Sequence, residues 1–308
     1  MAEQDDCAAF QISGEQTIVF GSDYVRGTKF SLYELGLLSN YDIGWYLAGA
    51  NLSDVAAMGA APLGLVSVVR YPKDMQDAEF EELMRGIRDG CRAAGTENVG
   101  GDIGTAERVI LSGAAMGTVE PENLLTRSGA SPGQVVVLTG MTGLAGAAMK
   151  YFTRTTLVPS LSSSHLEVLL HPWRRVAPRF AHGRIFAQSS GVTACVDTSD
   201  GLTGALQALC AGSNVGIDVD IDRIPVSDSV AAAAKVLAVP VHDLVFGDSV
   251  DFELVAAVDK SAVESLISEI AAAGLELFII GEITSGPELA GVRDGTRSQL
   301  PGEPWRHR

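Results

Sequence analysis

The chain has 308 residues, and its 38 acidic side chains against 22 basic ones leave a formal net charge of −16. Hydrophobic residues make up 46 %, enough for a sizeable core, so disorder is excluded as the dominant state. The charge argues against nucleic acid and against an anionic membrane surface, because phosphate neutralisation needs clustered Lys and Arg.

No apolar run reaches the ~18 residues of a spanning helix. The opening Met1-Ala2-Glu3-Gln4-Asp5-Asp6 is acidic and lacks a signal-peptide pattern. Cys7, Cys91, Cys195 and Cys210 form no C-x-x-C pair. The expectation is a reduced, cytoplasmic protein whose thiols act as small buried hydrophobes.

In chain order, Thr17 to Phe20 reads as a strand ending in Gly21-Ser22-Asp23. Asp42 to Met58 reads as a helix, with Ala48, Gly49, Ala50 and Ala56 small enough for close packing. Leu63 to Val69 reads as a strand. Asp77 to Ala94 places Phe80, Leu83, Met84, Ile87 and Cys91 on one helical stripe. Val109 to Leu111 suggests another strand. Ser128 to Gly133 is turn-rich and precedes the strand-like Gln134 to Thr139, so a domain boundary is placed at 130/131. In the second half, helices are expected after Gly143, after Pro178 and from about Leu202, with a polar loop at Thr153 to Ser164. Strands should lead to Cys195-Val196, fall within Val245 to Val258, and include Ile279-Ile280. The alternation is that of a mixed α/β (α+β) chain with domains 1–130 and 131–308.

Several carboxylates stand where chemistry is plausible. Asp23 follows the first strand, Asp102 follows a turn in Val99-Gly100-Gly101-Asp102, and Asp197 and Asp200 follow an apolar run. Asp54 is flanked by Leu52, Val55, Ala56 and Met58, and a charge in that setting needs a partner or a metal. Converging aspartates repel one another unless a cation accompanies them, and oxygen-only ligands favour Mg²⁺, which usually carries substrate phosphates too. Taken singly, each Asp reads equally as a turn or helix cap; Asp200 before Gly201-Leu202 is the clearest such case. Gly140 to Gly146 offers a Gly-rich strand-to-helix turn whose N–H groups suit an anion, or a tight turn and nothing more. Arg127 suits a bidentate phosphate contact or an ordinary surface position. The five His are scattered, and no nucleophilic triad is legible.

These segments resemble the thiamine-monophosphate kinase family, in the superfamily of aminoimidazole ribonucleotide synthetase and selenophosphate synthetase. Asp5-Asp6-Cys7-Ala8 is similar to its G-D-D-C-A, Ser22-Asp23 to its T-D, and Asn51 to Ala60 to N-L-S-D-[IVL]-A-A-M-G-A throughout. Val99 to Asp102 matches V-G-G-D, Leu125 to Ala130 resembles L-x-R-S-G-A, and Val196 to Leu202 resembles I-D-[IL]-S-D-G-L. The resemblance covers nearly the whole chain. It implies two α/β domains of the synthetase-like fold, with N-terminal domains pairing through β-structure in a homodimer. It implies Mg²⁺-dependent transfer from ATP to a small molecule. Asp6, Ser22, Asp23, Asp54, Asp102, Asp197 and Asp200 are then metal-binding. Gly101, Arg127 and Ser199 contact ATP, and Asp54, Asp102 and Asp200 stand closest to catalysis.

The departures lie at the substrate. Gly27-Thr28-Lys29-Phe30 stands where the family has a His before the Phe, and Val250 stands where it has a Glu. Ile103-Gly104-Thr105 follows Asp102 in place of T-T-R. Lys29 can hold a phosphate as a point charge, whereas Val250 accepts no hydrogen bond. Trp305 matches a C-terminal aromatic of the family, placed to stack on a heteroaromatic ring or to seal the core. Three readings follow: a thiamine-monophosphate kinase, a related ATP-dependent enzyme with another acceptor, and a non-catalytic nucleotide-binding paralogue. The retained aspartates argue against the last.

Overall fold

A computed structural model describes residues 5–25, 30–154 and 159–302. The first half is organised around α2 (Asn40–Ala57). Ser39 starts this helix: its hydroxyl accepts from the Asp42 N–H at 3.2 Å, and the Asp42 carboxylate accepts from the Ser39 N–H at 2.9 Å. The helix is apolar on nearly every side, from Ile43 and Leu47 to Leu52 and Val55, so it is buried centrally rather than laid on the surface. It follows the short α1 (Ser31–Glu34).

One side of α2 packs on a five-stranded sheet of β1 (Ala8–Gln11), β2 (Thr17–Val25), β3 (Ala61–Tyr71), β4 (Asn98–Thr105) and β5 (Ile110–Val119). The spatial order is β1-β2-β5-β3-β4, antiparallel except for the β3–β4 pair. A second side meets α3 (Asp77–Ala93), which buries Leu83, Ile87 and Cys91 along the stripe its spacing predicts. The two helices approach closely because Gly44 and Gly86 lack side chains; a Cβ on either would run into the facing main chain. Alternation along β2 buries Val19 and Val25 and leaves Phe20 and Tyr24 exposed on the face turned from α2.

The second half carries β6 (Val135–Leu138), α4 (Leu144–Thr153), α5 (Ser163–Arg174), α6 (Phe180–Gln188), β7 (Val192–Asp197), α7 (Gly201–Ser213) and β8 (Gly216–Asp220). Then come α8 (Asp228–Leu237), α9 (Val241–Val245), β9 (Leu254–Val258), α10 (Val263–Ala272), β10 (Phe278–Thr284), β11 (Leu289–Arg293) and β12 (Thr296–Ser298). Its seven strands run β12-β11-β8-β10-β6-β9-β7. β6 and β9 are interior strands of this sheet and fully buried, which explains their unbroken apolar runs. The halves meet at α2. The Trp45 indole donates to the Val176 carbonyl at 2.9 Å, and the Arg175 guanidinium reaches the Asp42 carboxylate at 2.6 Å. No described helix is long and apolar enough to cross a membrane.

The architecture is mixed α/β, as the alternation predicts, but two local readings change. β2 continues to Val25, so Ser22 and Asp23 lie inside the strand and not beyond it. Asp102 lies inside β4, because pairing with β3 makes a strand of what its glycines mark as a turn. The strand expected within Val245 to Val258 is present as its last five residues, and α9 ends at Val245.

Candidate active site

Asp6, Asp54 and Asp197 come from three distant segments, and each offers a carboxylate oxygen within 4.8 Å of the others. Each arrives for a local reason. Asp54 is carried by the last turns of α2, and Asp197 ends the buried β7. Asp6 is held by Arg127, whose Nη2 donates to Oδ1 at 2.5 Å. Burial first, and the charge of Asp197 second, push the Asp6 carboxyl up to about 8 despite Arg127 beside it. Burial, with Asp197, Asp6 and Asp23 nearby, pushes Asp54 well above its usual range, and burial raises Asp197. Asp197 is bound on both oxygens, from the Ser53 hydroxyl at 2.5 Å and the Ser199 hydroxyl at 2.6 Å.

Asp6 Oδ2 is buried with no hydrogen-bond partner. A buried carboxylate oxygen left unbonded among like charges is what a divalent cation would satisfy, and an all-oxygen donor set fits Mg²⁺. On that ground the residues present fit the ion.

Around the cluster, Ser22, Asp23, Arg127, Ser199 and Asp200 line one cleft of about 400 Å³ together with Asp6 and Asp54. The Asp23 N–H donates to Asn51 Oδ1 at 2.9 Å, tying β2 to α2. Asp200 occupies the N-cap position of α7 but makes no side-chain cap bond, so the capping alternative is not the one adopted. Gly201 follows at φ 80°, and a Cβ there would press on the Gly247 carbonyl; this is why the Ser-Asp-Gly turn requires glycine.

Asp102 and Gly101 are not brought to this cluster. Cross-strand register puts Tyr24, Ser112, Val68 and Asp102 in one row, on the sheet face turned from α2. The sheet itself therefore separates Asp102 from Asp54. Asp102 is exposed and pairs with Arg70 at 2.5 Å. Gly101 is demanded by packing, since a Cβ at its φ of 147° would strike the Ser67 carbonyl.

The other end of the cleft is apolar and is not legible from the motifs. Tyr46 and Trp173 stack with centroids 5.7 Å apart and planes 14° from parallel. Phe30 meets both edge-on at 5.2 and 5.4 Å, and Phe252 meets Tyr46 edge-on at 5.7 Å. Val250 and Met149 complete this end, with Asp248 on the rim. The one signal available is Tyr46, eight positions before Asp54 on the same helix; Trp173 has none. Phe252 sits at φ 56°, a left-handed conformation costing about 1–2 kcal/mol for a non-glycine residue. Its neighbours hold it there. Asp251 accepts from the Gly143 N–H at 2.6 Å and the Ala145 N–H at 3.0 Å, and Glu253 pairs with Arg179. The Gly140 to Gly146 turn is thus filled by the chain's own carboxylate, and the tight-turn alternative holds. Lys29 and Trp305 lie outside the described residues.

Residues 4–119 match the family described as AIR synthase related protein, N-terminal domain, and residues 131–294 its C-terminal domain. A thiamine-monophosphate kinase of Halobacterium salinarum is 37% identical over 271 residues, 87% of this chain and 85% of that one. One from Synechococcus elongatus is 29% identical, over 93% and 85%. Among solved structures, AaThiL complexed with AMPPCP and TMP superposes with a TM-score of 0.84 at 20% identity, covering 99% of this chain and 91% of that one. A thiamine-monophosphate kinase from Stenotrophomonas maltophilia gives 0.80 at 26% identity, over 96% and 90%.

Proposed function

The chain belongs to the AIR synthase related protein family and, within it, to the thiamine-monophosphate kinases, and on that premise we propose that it transfers the γ-phosphoryl group of ATP to thiamine monophosphate. The observation that carries this reading is a single cleft with a carboxylate cluster at one end and stacked aromatic rings at the other. Asp6, Asp54 and Asp197 would hold Mg²⁺, with Asp23 and Asp200 beside them. When bound, the ion supplies compensation for polyphosphate charge. The remaining work is positioning. The aromatic end takes the flat heterocycle of the acceptor, and Arg127 presents its guanidinium to phosphate oxygens. The acceptor oxygen belongs to a phosphate monoester and is already anionic, so no general base is needed, which suits a cleft with no histidine among its described lining residues. Fixing donor and acceptor in line is worth about 7–11 kcal/mol.

Incubation with Mg²⁺, ATP and thiamine monophosphate should give thiamine diphosphate and ADP in equal amounts. ADP formed only with another added metabolite would favour the reading with a different acceptor, for which the apolar Val250 at the ring end is the motivating observation.

Pairing of two copies through β-structure is supported by the open face of the first sheet, where Phe20, Tyr24, Val68 and Ile110 stand exposed. Asp102 and Arg70 belong to that face and not to the cluster of their own chain. Phe20→Glu should leave the circular dichroism unchanged and convert a dimer of the wild type into monomer by light scattering. A wild-type monomer would sink this assignment. The four cysteines are free, in keeping with work in the reducing cytoplasm.

A further inference from the structure

Arg127 is anchored by its main chain, and its side chain reaches away from those anchors. Its N–H donates to the Asp5 carboxylate at 3.0 Å, and its carbonyl accepts from the Ser213 hydroxyl at 2.9 Å. The guanidinium extends into the cleft, about three-tenths exposed, and takes Asp6 Oδ1 at 2.5 Å. Asp6 itself is 2 % exposed and belongs to the carboxylate cluster. Among the described residues lining the cleft, Arg127 is the single cation against Asp6, Asp23, Asp54, Asp200 and Asp248.

We propose that Arg127 couples cation binding to polyphosphate binding: its guanidinium competes with a divalent ion for Asp6 and exchanges that carboxylate for phosphate oxygens. This rests on reading the cluster as a Mg²⁺ site. The argument is electrostatic. A fixed positive charge bonded to one of three clustered carboxylates lowers the attraction of the set for a second cation and occupies one of its oxygens. A polyphosphate offers the planar fork a bidentate partner of higher charge. As the guanidinium turns to it, Asp6 is released to the ion. By linkage, each ligand then strengthens the other by one and the same factor.

The test is Mn²⁺ binding to the full chain, followed by electron paramagnetic resonance, with and without ADP. In Arg127→Met the affinity for Mn²⁺ alone should rise about tenfold, and the strengthening of Mn²⁺ binding by ADP should fall about tenfold. Equal or weaker Mn²⁺ binding by a folded R127M, with unchanged circular dichroism and unfolding midpoint, overturns the proposal. Arg127→Lys keeps the charge and should stay within about threefold of wild type for Mn²⁺ alone. A tightening in R127K as large as that expected of R127M also overturns it, and this variant carries the test if R127M does not fold. Mn²⁺ binding that is the same in wild type and Asp54→Asn would overturn the metal site, and the coupling with it. Specific binding by wild type without tightening in R127M overturns the coupling alone.

Discussion

Asp54→Asn should lower kcat by about 10³-fold, equivalent to about 4 kcal/mol of transition-state stabilisation, while making the protein more stable in buffer containing a chelator. Both effects have one cause. Asparagine keeps the size of the side chain and removes one of three converging acids. The site loses an oxygen ligand, and the fold loses the cost of either charging that buried carboxyl or holding its proton.

The unfolding midpoint should rise by roughly 2–4 °C per kcal/mol relieved. The pH dependence has a definite sign. Asp6 sits at about 8 in the folded chain against 3.8 when unfolded, and Asp54 is raised in the same direction. The folded state therefore binds more protons than the unfolded one between those values. Stability of the chelated wild type should fall as pH rises from about 4 towards 8. In D54N that slope should be shallower. Full kcat in D54N, or a slope of opposite sign, would remove the cluster from the account.

Trp173→Ala should raise KM for the phosphate acceptor about 30-fold, with KM for ATP unchanged and kcat within a few-fold. The figure follows from losing about 2 kcal/mol of ring burial and stacking, at 1.4 kcal/mol per decade. The indole also donates to the Ala145 carbonyl at 2.9 Å, so the alanine variant loses some stability through α4 as well. Trp173→Phe separates the two. It keeps a ring beside Tyr46 and loses the N–H, so its acceptor KM should remain within about fivefold of wild type. If KM for ATP rose in step with KM for the acceptor, Trp173 would be a packing residue and no more.

The sequence carries the carboxylate half of the cleft better than the aromatic half, and the reason is locality. Asp6, Asp54 and Asp197 each sit in a short string whose neighbours fix its conformation, so the strings can be read one by one. Tyr46, Trp173, Phe252 and Phe30 come from two helices and two connecting segments, and no pattern in any of them foretells that the rings meet. Asp102 marks a second limit. Its short string matches the family's V-G-G-D, yet which face of the sheet it occupies depends on register across β5, β3 and β4, which no single string contains. β4 itself is hidden because Gly100, Gly101 and Gly104 mark turns in isolation, and the approach of the β3 main chain accounts for Gly101 alone. α2 and α3 were legible because their apolar spacing and small residues are properties of one segment each.

Tyr46 and Asp54 ride on the same rigid rod. Eight residues at 1.5 Å each separate them by about 12 Å along the axis of α2. The helix therefore works as a ruler. It fixes the span between the stacked rings and the carboxylate cluster, whatever the loops around it do, and so, on the proposed reading, between the acceptor's ring and its phosphate. Selection by length becomes independent of selection by chemistry: an acceptor with the right ring and the wrong reach binds at one end and leaves the other unserved. One residue inserted between Tyr46 and Asp54 would turn the two ends by about 100° relative to each other, and no adjustment of side chains restores that.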